Sequence, residues 1–269
     1  MLEPLADTRL IMCRTPRRTQ SLSVTLALVV LCVAFWASPA AAYRPFDGTD
    51  AAVADPNEME IEFQPVGALW QGSNKSLVGP WAVLNFGFEN RWEAVLEGKG
   101  ITPVSPSGPF ALTDTAFSLK HILIPGSLQD QTGPSVATEF GVLLPEVNGD
   151  SGVGASFAGI VSQRWDWGTI HFNAAALLTR QHTGEVFTSI IIEGPSKWTV
   201  RPVAEVFYEQ EINRSTTISG LVGLIWQVRD NLSFDVAFRH ALTDGHPIDE
   251  IRAGTTFGFP LGPMMAGRR

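Results

Sequence analysis

The sequence predicts an all-β protein: a closed antiparallel up-and-down transmembrane β-barrel of about twelve strands, preceded by a cleaved signal peptide. Three observations predict it. Short runs along the chain alternate apolar with polar residues. The first forty-odd residues have the layout of an export leader. Tryptophans gather at the ends of the predicted strands. The clearest run lies at 81–99, where Ala82, Leu84, Phe86 and Phe88 take one phase and Asn85, Gly87 and Glu89 the other. Asn90-Arg91 turns the chain, and Trp92, Ala94 and Leu96 then alternate with Glu93, Glu97 and Lys99. Such a period of two marks a strand with unlike faces, and a polar turn between two such strands makes a hairpin. A single hairpin cannot hide its apolar face, so a sheet closed on itself is the simplest arrangement that leaves no edge.

The chain has 269 residues and a net charge of −8 at pH 7. Arg14, Arg17 and Arg18 precede an apolar run from Leu22 to Trp36, which ends in Ala37, Ser38, Pro39, Ala40, Ala41 and Ala42. That order predicts a signal peptide over 1–42, with Met12 as an alternative start and a retained anchor as the other reading. The run is shorter than the roughly 20 residues of a helical bilayer span. Cys13 and Cys32 are the only cysteines, and both fall in the leader. The exported part therefore has no disulfide framework. It is more acidic than the whole, because the leader takes Arg9, Arg14, Arg17 and Arg18 but only Glu3 and Asp7. An acidic surface gives no reason to expect nucleic acid.

Residues 43–56 read as a polar, acidic periplasmic lead without pattern. The barrel is predicted over 57–259. Its first strand, 57–66, sets Met59, Ile61 and Phe63 against Glu58, Glu60, Glu62 and Gln64, and a loop leads to Gly79-Pro80 and the hairpin above. A fourth strand over 114–124 sets Phe117 and Leu119 against Ser118 and Lys120. The fifth, 135–144, sets Phe140 and Val142 against Glu139 and Gly141; the sixth, 153–162, is apolar on both faces. The seventh follows the turn at 164–168 and sets Ile170 and Phe172 against His171 and Asn173. An eighth spans 186–193. The ninth, 198–210, sets Ala204, Val206 and Tyr208 against Arg201, Glu205 and Glu209, and a tenth spans 216–228. The eleventh, 232–241, sets Phe234, Val236 and Phe238 against Asp235 and Arg239; the twelfth, 250–259, sets Ile251, Ala253 and Phe257 against Arg252 and Gly254. Residues 260–269 form a C-terminal tail.

Alternation alone does not separate a soluble barrel from a membrane barrel, since the two differ in which face is enclosed. Two features favour the membrane. Connections after even strands read as short and most of those after odd strands as longer, as in outer-membrane barrels. Trp92, Trp165, Trp167, Trp198 and Trp226 map to the short-turn rim, and Trp70 and Trp81 to the opposite one, where membrane-interface aromatics belong. The expected location is the outer membrane, with outer-membrane lipid and the barrel-assembly machinery as partners and a monomer as the unit. A soluble periplasmic β protein is the rival.

Arg44-Pro45-Phe46, Thr49-Asp50-Ala51, Pro56 and the run Glu58 to Glu62, with the ending Glu250 to Phe259, resemble the outer-membrane transporters linked to the MetA pathway of phenol degradation. The resemblance implies a channel or transporter more firmly than any solute. One departure is the tail past Phe259, because barrels of this kind usually stop at a terminal aromatic.

No phosphate loop, Cys/His metal cluster or Gly-x-Ser-x-Gly elbow is present, so neither a metal nor a cofactor is expected. His121, His171, His182, His240 and His246 are widely spaced. A lipid-modifying enzyme would need a serine beside a histidine on the outer face, and spacing places none. The predicted lumen lining is Glu60, Glu62, Glu89, Glu93, Glu97, Lys99, Lys120, Glu139, Arg201, Glu205, Glu209, Asp235, Arg239 and Arg252. These charges either seal the barrel with salt bridges or select a small-molecule solute by charge. Val95, Leu143, Val203 and Phe207 share the inward phase, as a track for an uncharged solute or as local packing. The expected function is a passive channel for small solutes, hydrophobic or aromatic ones included. A closed structural or surface-binding barrel is the alternative.

Overall fold

The computed structural model describes residues 44–262. The predicted signal peptide with both cysteines, and most of the tail, lie outside the described residues. Thirteen strands form one closed antiparallel sheet: β1 (Glu58–Gln64), β2 (Gly67–Gln71), β3 (Asn74–Glu89), β4 (Trp92–Ser105), β5 (Ala111–Ile124), β6 (Ser135–Leu143), β7 (Gly154–Trp165), β8 (Gly168–Leu178), β9 (Gly184–Glu193), β10 (Val200–Glu211), β11 (Ser215–Arg229), β12 (Leu232–Thr243) and β13 (His246–Pro260). Each pairs with its neighbour in sequence from β2 to β13. β1 and β2 both pair with β13 on one side and β3 on the other, so they are two halves of one wall strand and the barrel has twelve staves. The break falls at Pro65-Val66, opposite Gly79-Pro80 of β3. Neither proline has an N–H to give to the ladder. The ladder is interrupted there, and Gln64 lends its side-chain amide to Val78 O at 3.1 Å beside the gap.

The stretch that reads as a loop after residue 66 is therefore strand, because the wall continues past the kink. β2 and β3 join at Gly72-Ser73, and β12 and β13 at Asp244-Gly245. Asp244 and Gly245 both have positive φ (50° and 81°), the two-residue turn whose twist matches its strands. Tight turns also close the other rim, at Asn90-Arg91, Asp166-Trp167 and Asp230-Asn231. The longest connections, 125–134 and 144–153, lie at opposite rims. The expected short-side, long-side contrast is thus absent. Connection length says little about orientation here.

The two faces are inverted relative to a soluble protein. The outer face carries Phe117, Phe140, Phe157, Phe172, Ile190, Val206, Val222, Val236 and Ile251, with Val206 60% and Val222 61% exposed. The largest fully buried side chains include Arg252, Gln64 and Glu205. A continuous apolar exterior around a charged interior is stable when hydrocarbon, not water, surrounds the wall. Closure satisfies the wall's backbone internally apart from the proline kink, which an open sheet in lipid could not do. Trp165, Trp167, Trp198 and Trp226 are exposed at the rim where β1 starts and β13 ends, hereafter the terminal rim. Trp165 stacks on Trp167 at 5.4 Å, and Trp92 on His121 at 4.1 Å. Trp70 lies on the outer face near the opposite rim, paired with Asp249 and Lys75. Together these features define a transmembrane β-barrel of the outer membrane.

A candidate channel lumen and the strap that crosses it

Inward-pointing residues of the twelve staves surround about 1410 Å³ of open space. All the predicted lumen residues point into the barrel except Glu89. Its phase looks inward, but the ladder shifts between Gly87 and Glu89, and Glu89 pairs with Trp92 at the exposed rim. Trp81 differs from its predicted place in the other direction. It is a buried lumen residue, its Nε1 donating to Glu97 at 3.2 Å, with Arg44, Lys99 and Arg252 within 5.0–5.2 Å of its ring. Its parity matches that of Asn85, so the inward direction was already in the alternation.

Residues 44–56 occupy the inside of this wall. The stretch reads as a lead in the sequence, and it lies in the lumen as an irregular strap. From β12 and β13 it passes β10, β8, β7 and β5 and reaches β4 and β3. Arg44 donates to Asp235 (3.3 Å) and to Gln64 (2.7 Å), while Arg252 donates to Pro45 O (2.8 Å) and Asp47 (2.8 Å). The amides of Asp47 and Gly48 donate to the two oxygens of Glu205, at 2.7 and 2.8 Å. Thr49 is held twice by Asn173, which accepts from its N–H at 2.9 Å and donates to its carbonyl at 2.8 Å. Lys120 reaches Asp50 at 3.3 Å, Ser162 accepts the Ala51 amide at 2.9 Å, and Glu93 accepts the Ala54 amide at 2.6 Å.

Two apolar contacts complete the seat. Phe46 packs with Ile191, Val203, Leu221, Ile225 and Ala237, a small core inside the barrel. Ala51 packs with Ala137 and Ile160. Val203, one of the four apolar residues that intrude on the inward phase, is thus packing for Phe46. Phe207 behaves differently. It lines open lumen, 5.3 Å from Phe187, with the Arg239 guanidinium 5.8 Å from its ring. Val95, Leu143 and Leu177 also face the space.

Most inward cations are paired along the wall, whereas among the described residues Glu60, Glu62, Glu97 and Glu209 line the space without an ion pair. Arg239 and Arg252 share Glu250 at 3.1 and 2.9 Å, Arg201 meets Glu193 at 3.4 Å, Arg180 meets Glu146 at 3.3 Å, and Lys99 pairs with Asp114. Such pairing suits a confined lumen, where a lone charge is costly.

One constellation was not legible from spacing. Ser162 Oγ lies 2.8 Å from His171 Nδ1, and His171 Nε2 lies 3.1 Å from Glu193. A serine, a histidine and a carboxylate in line suggest nucleophilic chemistry. The serine is fully buried, however, and its oxygen is taken by the Ala51 amide, so it serves as a peg for the strap. His121 and His240 lie on the outer face, His121 against Trp92 and His240 paired with Asp249 at 2.7 Å. Among the described residues no group of three His, Cys, Asp or Glu could hold a metal ion.

Asn173 offers a direct check on the seat. Asn173→Ala removes both bonds to Thr49, each worth about 1 kcal/mol net. The Thr49 amide is then expected to exchange about 10–30 times faster, measured by hydrogen-exchange mass spectrometry, with wall amides unchanged.

Comparison with known proteins agrees with this geometry. An outer-membrane channel of Pseudomonas putida F1 superposes with a TM-score of 0.59 at 7% identity, covering 80% of this chain and 100% of that one. The NanC porin gives 0.55 at 7% identity, over 74% and 98%. The KdgM porin gives 0.50 at 10%, over 74% and 98%. No family model and no curated protein matches the sequence. At these identities the likeness is one of fold: this chain has the outer-membrane porin and channel architecture.

Proposed function

We propose that the protein is a passive outer-membrane channel for small solutes, hydrophobic or aromatic ones included, acting without catalysis. The observation that carries this reading is a lumen of about 1410 Å³ that stays open beside the strap and holds the Phe187–Phe207 pair. Aromatic faces in a polar conduit give an uncharged ring somewhere to rest, while the acid-rich lining opposes an anion. The resemblance of residues 44–62 and 250–259 to transporters of the MetA pathway of phenol degradation fits a phenol-like solute. Liposome swelling tests it. Vesicles with the folded protein are expected to admit small uncharged aromatic alcohols faster than charged sugars of equal mass. Phe207→Ala is expected to reduce that preference by about threefold to tenfold, a ring contact being worth about 0.5–1.5 kcal/mol. Absence of flux from folded protein would support the second reading, a closed structural or surface-binding barrel, which the closely bonded strap favours.

A further inference from the structure

The way the wall grips the strap is that of a peptide-binding site. Asn173 reads the N–H and C=O of one residue, Thr49, and Glu205 takes two successive amides. Ser162 and Glu93 take the amides of Ala51 and Ala54, and Gln129 donates to Ala51 O at 3.0 Å. These bonds recognise backbone. Side chains add a pattern: an aromatic in the Phe46 pocket, glycine at 48, and an acid at 50 against Lys120. A Cβ at Gly48 would overlap Ser189 Oγ and crowd Glu205 and Asn173, so a larger residue there displaces the groups that hold the strap.

A strand of the wall is held by ladder bonds to its neighbours in sequence. The strap, in contrast, is held by wall side chains that point into the lumen. If it leaves, water can take over each bond, and the sheet loses none of its own. We propose that the wall groups Glu205, Asn173, Ser162 and Lys120 form an exchangeable peptide seat. It takes an extended peptide of pattern aromatic-x-Gly-x-Asp, and the protein's own residues 44–56 are its resident occupant. The seat is independent of solute flux, so it can be tested whether or not the channel reading holds.

Two measurements on the full chain test this. In the wild-type protein in lipid vesicles, the amides at 47–51 are expected to exchange together and at least 100-fold faster than wall amides at the same depth. Exchange as slow as the wall would overturn the proposal, since the strap would then leave only with unfolding. In Gly48→Leu the resident strap is unseated. A fluorescent synthetic peptide of residues 44–56 is then expected to bind this variant at least tenfold more tightly than the wild type. The same peptide with its own Gly48→Leu change is expected to bind at least tenfold more weakly. Equal binding of the two peptides, or equal binding to the two proteins, would overturn the proposal. If Gly48→Leu does not fold, as judged by the heat-dependent gel shift of barrels, Phe46→Ala, which removes the strap's apolar anchor and leaves the wall groups intact, takes its place with the same expected order of affinities.

Discussion

Replacing Arg252 with alanine is expected to cost the barrel about 3–5 kcal/mol of unfolding free energy, the largest effect of any lumen substitution. Arg252 is 1% exposed, and its guanidinium serves three acceptors. Nη2 donates to Asp47 (2.8 Å) and Glu250 (2.9 Å), and Nη1 to Pro45 O (2.8 Å). Removing it leaves Glu250 with Arg239 alone and Asp47 without its cation, in a place where charges are hard to leave unpaired. Arg252→Lys keeps a charge but cannot spread over three acceptors, and is expected to recover less than half of the loss. Equilibrium denaturant unfolding in lipid vesicles, followed by tryptophan fluorescence, measures both. A cost under about 1 kcal/mol would mean that water already solvates the cluster.

The second large effect lies on the other face. Val222 is 61% exposed and sits midway along β11, so Val222→Arg puts a cation at the bilayer midplane. The expected cost is about 2–4 kcal/mol, measured as a fall in folding free energy into vesicles. Val228→Arg, one residue from the end of the same strand, is expected to cost only about 0–1 kcal/mol. The gradient between two identical changes on one strand is the signature of a membrane. In a soluble protein both would be near neutral, because both side chains would already face water.

Much of the wall was legible because each stave has lipid on one side and polar lumen on the other. Ile170 and Phe172 against His171 and Asn173, or Phe234 and Val236 against Asp235, translate directly into outside and inside. What failed was local. The stretch up to Gly79-Pro80 reads as a loop, whereas Gly79-Pro80 lies within β3 opposite the break at Pro65-Val66, so the far halves of two staves are not legible. Glu89 has the inward phase, but a ladder shift at the hairpin carries it to the rim. Trp81 reads as an interface residue because the predicted strand begins there, though its parity with Asn85 points inward. The strap was illegible for a deeper reason. It has neither helical nor strand period, and its bonds run to residues as far away in sequence as Arg252. Only the closed barrel brings Glu205, Asn173 and Lys120 to one surface, and only then does the run Phe46-Asp47-Gly48-Thr49-Asp50 acquire a meaning.

The central claim is the inverted arrangement, and spin-label accessibility along β12 tests it most directly. Nitroxides placed one at a time from 233 to 241 in the vesicle-embedded protein should alternate. Even positions such as Val236 and Phe238 are expected to be relaxed by oxygen from the bilayer, and odd positions such as Asp235 and Ala237 to be shielded from it. Alternation in the opposite phase, or oxygen access equal at all positions, would contradict an exterior of hydrocarbon contacts around a charged, strap-filled interior.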